Sequence, residues 1–261
     1  MSILRSLLQG AIRRGLSWEV MRVGENAYAA TPTALLHEAW FSLEVQRHNL
    51  MQRKAVDLVI DVGANVGQFG CAIRRKYAGE LISFEPSSGP FEKLREAAAS
   101  DPLWHVQNMA LGAQEDELEL KIAPLSVLNS FLSPSALSHA TFGERSAPSA
   151  CETVRVRRMD EALEDVVANA AGRRLFVKLD TQGFDLQVFK GMQGVLDSVV
   201  MLQAEVSLRS IYDGMPGWLE SLAVYESAGF RVAGLFPAVC DDQGMPMEYD
   251  CLMFREETAA G

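Results

Sequence analysis

The sequence predicts an α/β protein: a Rossmann-like, seven-stranded, mostly parallel sheet with an antiparallel hairpin at one edge, preceded by a helical extension. Three observations lead there. From residue 57 onward short apolar runs alternate with helix-period segments, the first run ends in a glycine turn, and the last two runs are joined by a turn-rich stretch. Alternation of strand and helix is what a parallel sheet covered on both faces requires, because each crossover must carry the chain back to the same end.

Residues 1–55 read as helices with His37 and His48 among them, a cap or arm ahead of a domain at 56–257. In MSILRSLLQGAIRRGL the apolar residues Ile3, Leu4, Leu7, Leu8 and Ile12 fall at helical spacing, but Arg5 interrupts any signal-peptide core and no small-residue cleavage site follows. A cytoplasmic protein is expected. Arg5, Arg13 and Arg14 offer this helix an anionic membrane surface, although such a stripe more often packs on its own domain or on a second copy in a homo-oligomer.

Strands are expected at 57–62, 80–85 and 104–109, with helices at 66–77 and 89–100 between them. ELELKIAP (117–124) and TVRVRRM (153–159) alternate with period two and suit an antiparallel edge pair or a side ribbon. Between them, residues 125–150 are rich in Ser, Ala and Pro without a steady period, which reads as a structureless lid over the substrate site or as a surface insertion. A helix near 160–170, the strand RLFVKLD, the helix DLQVFKGMQGVLD, the strand VVMLQAEVS and a helix near 217–228 follow. FRVAGLFPAV and YDCLMFRE, separated by Asp241, Asp242, Gly244 and Pro246, make the closing hairpin.

A formal net charge of −10 argues against nucleic acid as a partner, since that binding depends on clustered Lys and Arg. Arg155, Arg157 and Arg158 in VRVRRM fit the solvated face of a strand, or a local strip for an anionic substrate. Cys71, Cys151, Cys240 and Cys251 lack C-x-x-C spacing and a histidine cluster, so no zinc site is expected; Cys71 and Cys251 read as reduced core thiols.

Chemistry concentrates at two strand ends. In LVIDVGANVGQFG, the strand runs into Gly63-Ala64-Asn65-Val66-Gly67, where glycine permits positive φ and a helix start should present free N–H groups. The spacing is G-x-x-x-G, not the G-x-G-x-x-G of a pyrophosphate cradle, and Glu85 ends the next strand, 22 residues after Gly63, where a carboxylate can accept hydrogen bonds from a ribose diol. An adenosine-type ligand fits better than a dinucleotide. In LFVKLDTQGFDLQVFKGM, Lys178 and Asp180 share one face of a strand end, a turn follows at Gly183, and Asp185 opens a helix.

Asp61, the glycine turn and Glu85-Pro86 resemble the S-adenosylmethionine site of class I methyltransferases. Together with ISFEPSSGPFEKL, NMALG, VRRMDEAL and LQAEVS leading to YESAGF, the pattern resembles the FkbM family of S-adenosylmethionine-dependent methyltransferases over about residues 56–235. That family more often shows D-V-E-G-x-E where this chain has Asp180-Thr181-Gln182-Gly183-Phe184-Asp185. The resemblance implies methylation of a hydroxyl on a small-molecule or carbohydrate acceptor, a sugar, glycan or natural product. It further implies that Gly63, Ala64, Asn65 and Gly67 take the methionine and ribose portion, that Asp61 orients the turn or the amino group, that Glu85 holds the ribose hydroxyls and that Asn108 faces the adenine edge.

For the acceptor's proton the candidates are Asp180, Asp185 and Glu205, with Lys178 as orienter; Asp185 also reads as a helix cap and Glu205 as a loop anchor. Two versions stay open: Asp180 as a metal-free general base, or Asp180 and Glu205 together holding a divalent cation. His139 is an alternative base in the lid, and His105 reads as a packed or edge histidine. A non-catalytic adenosine-ligand module and an NAD-dependent oxidoreductase are the competing functions.

Overall fold

The computed structural model describes residues 18–22, 28–32 and 42–256. The chain divides into two compact units, residues 1–49 and 50–261. In the first, β1 (Trp18–Arg22) and β2 (Tyr28–Pro32) form an antiparallel hairpin with Trp18 opposite Pro32 and Arg22 opposite Tyr28. The expected all-helical extension is therefore corrected. WEVMR and YAATP carry the aromatic and β-branched residues that suit strands, and Gly24 and Asn26 lie between them in sequence. Helix α1 (Leu43–Arg53) includes His48, as expected, while His37 and the amphipathic residues 1–16 lie outside the described residues.

The second unit alternates as the sequence implies: β3 (Leu58–Val62), α2 (Gln68–Ile73), β4 (Glu80–Phe84), α3 (Ser88–Ala98) and β5 (Trp104–Gln107). Next come β6 (Ala110–Leu111), β7 (Asp116–Ile122), α4 (Ala136–Phe142), β8 (Ala150–Arg157), α5 (Met159–Glu164) and β9 (Leu175–Leu179). The chain closes with α6 (Asp185–Lys190), β10 (Val199–Ser207), α7 (Trp218–Ser227), β11 (Phe230–Cys240) and β12 (Pro246–Arg255). The main sheet has seven strands in the order β11-β12-β10-β9-β3-β4-β5, parallel from β10 to β5 and antiparallel at β12 and β11. This is the Rossmann-like, mostly parallel seven-stranded sheet with the antiparallel edge hairpin that the sequence predicts. β6, β8 and β7 make a separate ribbon, where Val154 and Val156 pack with Leu120 and the arginines turn outward into ion pairs such as Arg155–Glu115.

The centre of the sheet is buried on both faces, which is why β3 and β9 read as apolar runs broken only by Asp61 and Lys178. Leu58, Ile60 and Val62 of β3 and Leu175, Val177 and Leu179 of β9 join Leu163, Val188 and Met192 in one core, each large aliphatic side chain contributing roughly 1.5–3 kcal/mol on burial. Register then places the chemistry. Val62 lies beside Phe84 of β4 and Leu179 of β9, so Gly63, Glu85 and Asp180 leave the sheet side by side at its carboxyl edge. Gly63, at φ 80°, passes so close to the next turn that a Cβ there would sit 1.9 Å from the Asp180 carbonyl oxygen.

Residues 125–150 are not the structureless loop expected. Ser135 Oγ accepts from Ser138 N–H at 3.2 Å and starts α4, whose Leu137 and Phe142 pack against Ile211, Tyr212 and Met247. A seven-residue helix is too short to show a period in sequence. Cys251 is buried as expected, but Cys71 is exposed: α2 turns Phe69, Gly70 and Ile73 inward, which leaves Cys71 on the outer face.

Candidate active site

A cavity of about 310 Å³ opens where the strand ends meet. Its floor is Gly63, Ala64 and Asn65 after β3, Phe84, Glu85 and Pro86 at β4, and Lys178, Asp180, Thr181 and Gln182 at β9. Met109, Ala110, Leu111 and Leu120 supply an apolar wall, and Ser126, Val127, Asn129 and Phe131 close the other side. Phe131 and Phe184 meet with ring centroids 4.8 Å apart.

Glu85 is the best-held group. Its Oε2 accepts from Asn65 N–H and its Oε1 from Ser87 N–H, each at 2.8 Å, and burial pushes the carboxyl up to about 7. Each oxygen keeps a second lone pair, so the carboxylate retains acceptor capacity for a diol. The turn itself differs from expectation. Gly63 and Ala64 N–H both donate to the Phe84 carbonyl, Asn65 N–H to Glu85 and Gly67 N–H to the Ala64 carbonyl, so these amides serve the turn and not a ligand. The glycines instead allow positive φ and the close pass beneath Asp180.

Lys178 Nζ donates to Asp180 Oδ2 at 2.9 Å, lies 3.5 Å from Asp61 Oδ1 and sits 5.2 Å from the centre of the Phe69 ring. Burial opposes its charge, but Asp180 and Asp61 more than offset this and raise the ammonium's pKa. Burial would likewise raise Asp180, yet the Lys178 ammonium holds its carboxyl below the usual range. Asp61, fully buried under Lys178 and taking a 3.4 Å contact from Ser83 Oγ, is raised by burial. It lies beneath the cavity and not on its wall.

The other sequence candidates lie elsewhere. Asp185 Oδ1 accepts the N–H (2.8 Å) and the hydroxyl of Thr181, so it braces the 180–185 turn, and burial pushes its carboxyl up to about 6. Glu205 stands behind Asp180, next to the small hollow shared with Ser207, Ser221 and Glu248, and burial followed by repulsion from Asp180 and Glu248 raises it well above the usual range. Asn108 Nδ2 donates to the carbonyls of Glu85 (2.9 Å) and Pro86 (3.1 Å); the wall beside it is Met109 and Ala110. His139 is exposed on α4 and away from the cavity, and His105 is on edge strand β5, 3.9 Å from Glu80.

Tyr212 is not singled out in the sequence, and the 126–131 wall only as part of the expected lid. Gln182 Nε2 donates to both Asp180 Oδ1 (3.1 Å) and Glu205 Oε2 (2.9 Å), and its Oε1 accepts from the Tyr212 hydroxyl at 3.0 Å. Only the departure of Gln182 from the family's glutamate marked this position.

The family model for the methyltransferase FkbM domain matches residues 61–232. The chain belongs to the FkbM methyltransferase family. The matched span contains the turn after β3, Glu85 and the whole 178–185 segment. Among characterised relatives, this FkbM-family chain is 26% identical over 209 residues to the hexuronic acid methyltransferase AglP of Haloferax volcanii, covering 77% of this chain and 78% of that protein. Among solved structures it is similar to an rRNA methylase from Streptococcus thermophilus, with 12% identity over 81% of this chain and 95% of that one and a TM-score of 0.42. A precorrin-6y C5,15-methyltransferase from Geobacter metallireducens matches at 10% identity over 82% and 89%, also with a TM-score of 0.42. Among the described residues no helix is long and apolar enough to cross a membrane.

Proposed function

We propose that this FkbM-family methyltransferase binds S-adenosylmethionine in the strand-end cavity and methylates a hydroxyl of a sugar or glycan, with Asp180 taking the hydroxyl proton. The observation that carries this is the convergence of Glu85, with acceptor capacity to spare, and Asp180, held ionised by Lys178, on one cavity. The donor set suits the cofactor: a carboxylate for the ribose diol, Met109, Leu111 and Leu120 for a flat ring, and space of the size small ligands use. When bound, the cofactor supplies a methyl group on a sulfonium, a leaving group that needs no protonation.

What remains for the protein is to orient the acceptor and remove its proton. Asp180 is a weak base because Lys178 stabilises its charge, but an alcohol oxygen becomes strongly acidic as it gains the methyl group as a third substituent, so a weak base in the correct ionisation state suffices. Lys178 orients it. The carbohydrate acceptor is supported by the similarity to a protein named as a hexuronic acid methyltransferase, over about three-quarters of both chains.

The test combines binding and turnover. Calorimetry with S-adenosylmethionine and S-adenosylhomocysteine should give comparable affinities for wild type and Asp180→Asn. Turnover with a panel of sugar nucleotides, including UDP-glucuronic acid, should drop about 10²-fold or more in Asp180→Asn. Near-normal turnover of the variant removes Asp180 as base. Full wild-type activity in excess EDTA is expected of the metal-free version, and loss of activity there would favour Asp180 and Glu205 as cation ligands.

A further inference from the structure

We propose that Gln182 is a positioning residue whose amide, fixed by Tyr212, ties Asp180 to Glu205 and holds the Asp180 carboxylate in its working orientation. The inference rests on the reading of Asp180 as the proton acceptor and adds what keeps that group in place.

The amide has one workable orientation. On one side it meets two carboxyl groups, Asp180 at 3.1 Å and Glu205 at 2.9 Å; on the other it meets the Tyr212 hydroxyl at 3.0 Å, which also lies 3.1 Å from the Leu128 carbonyl. Turning the amide over would set its oxygen against two carboxyl groups and lose both donations. Tyr212 is 1% exposed and packed among Ile211 and Met247, so the hydroxyl is a fixed reference point. The backbone is equally constrained. Gln182 has φ 52°, an uncommon left-handed conformation for a residue with a side chain, and its carbonyl accepts from Ser130 Oγ at 2.8 Å while Asp185 clamps Thr181 beside it.

Asp180 is thereby gripped at both oxygens, Oδ2 by Lys178 and Oδ1 by Gln182. The titratable groups around it are Lys178 on its own strand, Asp61 on β3, Glu85 at the end of β4, Asp185 on α6 and Glu205 on β10, with Glu248 beyond on β12. Two N–H bonds from one neutral amide let two carboxyl groups lie together without a second cation. Glu205 is not on the cavity wall; it reaches the site through this link and through its own hydrogen bond to Asp180, which makes it also a residue that acts through Asp180.

The experiment follows the Asp180 side-chain carbon by ¹³C NMR across pH in the ligand-free full-length protein, for wild type, Gln182→Met and Tyr212→Phe, so the result does not depend on methyl transfer. Loss of a donor to the ionised form should raise the Asp180 midpoint by about one unit or more in Gln182→Met, and by less in Tyr212→Phe. In turnover with the acceptor that the sugar-nucleotide panel identifies, kcat at neutral pH should fall at least about tenfold in Gln182→Met with KM changed far less. The acid limb of the kcat profile should move up together with the NMR midpoint. Should Gln182→Met not fold, Gln182→Glu, which keeps the shape but replaces the donor with a carboxyl, must shift the midpoint upward further still. An Asp180 midpoint unchanged in the folded variants overturns the proposal even if Asp180→Asn is inactive. A shifted midpoint with an active Asp180→Asn leaves Gln182 orienting Asp180 and removes Asp180 as base.

Discussion

Glu85 must satisfy the protein and a ligand with one carboxylate. Burial favours its neutral form, the N–H groups of Asn65 and Ser87 favour its charged form, and burial wins, leaving the group at about 7. A ribose diol donates to carboxylate oxygens, so binding should favour the ionised form. The affinity for S-adenosylmethionine is then expected to rise with pH up to about 7 and level off above, with up to one proton released per ligand bound near pH 6. Calorimetry in buffers of different ionisation enthalpy at pH 6 and 8 measures both; equal affinity and no proton exchange would take Glu85 out of the ribose contact. Glu85→Ala should weaken binding by about 1.5–3 kcal/mol for each charge-assisted hydrogen bond lost. Glu85 was legible in sequence because a strand end is fixed by the apolar run before it. Asn108 was expected at the adenine edge, and its Nδ2 turns back to two backbone carbonyls, a choice that spacing does not encode.

The elements divide into those with a sequence period and those without. β3, β9 and β10 are buried along nearly their whole length, so their apolar runs were legible in sequence with Asp61, Lys178, Gln203 and Glu205 as polar interruptions, whereas the order of the strands in the sheet was not. The segment from 125 to 150 had no period to read, since its helix is two turns long and its remaining contacts are made by single side chains to distant residues: Ser126 Oγ to Asn65 Oδ1 at 3.1 Å, Ser130 Oγ to the Gln182 carbonyl. These contacts also divide the segment. Residues 126–131 line the cavity, whereas α4 is pinned by Ile211, Tyr212 and Met247. If the segment serves as a lid, hydrogen exchange should slow at 126–131 when S-adenosylhomocysteine is added and stay unchanged across 136–142. Slowing across both parts equally would mean the whole insertion orders as one body, and no slowing would make it a fixed wall.

For the molecule as a whole, the carboxyl groups that form the site are a cost to the ligand-free fold. Burial raises Glu85 and Glu248 to about 7 and Asp185 to about 6, above the values these groups take in an unfolded chain. A raised carboxyl binds a proton in the folded state that the unfolded state has released, so its stabilising contribution is full below the unfolded value and lost as pH rises through the folded one, about 1.4 kcal/mol per unit of displacement. Asp180 works in the opposite sense: lowered by Lys178, its contribution is present above the ordinary Asp range and lost in acid. The balance of these groups places the stability maximum of the ligand-free protein near pH 4, with a melting temperature that declines toward pH 8. Thermal unfolding from pH 4 to pH 8 measures this, and a melting temperature that climbs from pH 5 to pH 8 would show that these carboxyls ionise without penalty. A ligand that requires ionised Glu85 should oppose the decline, since its stabilisation grows as RT ln(1 + [L]/Kd) and Kd falls with rising pH. The gain in melting temperature from saturating S-adenosylmethionine should therefore be larger at pH 8 than at pH 6, because the pH that strains the empty site is the one at which it binds.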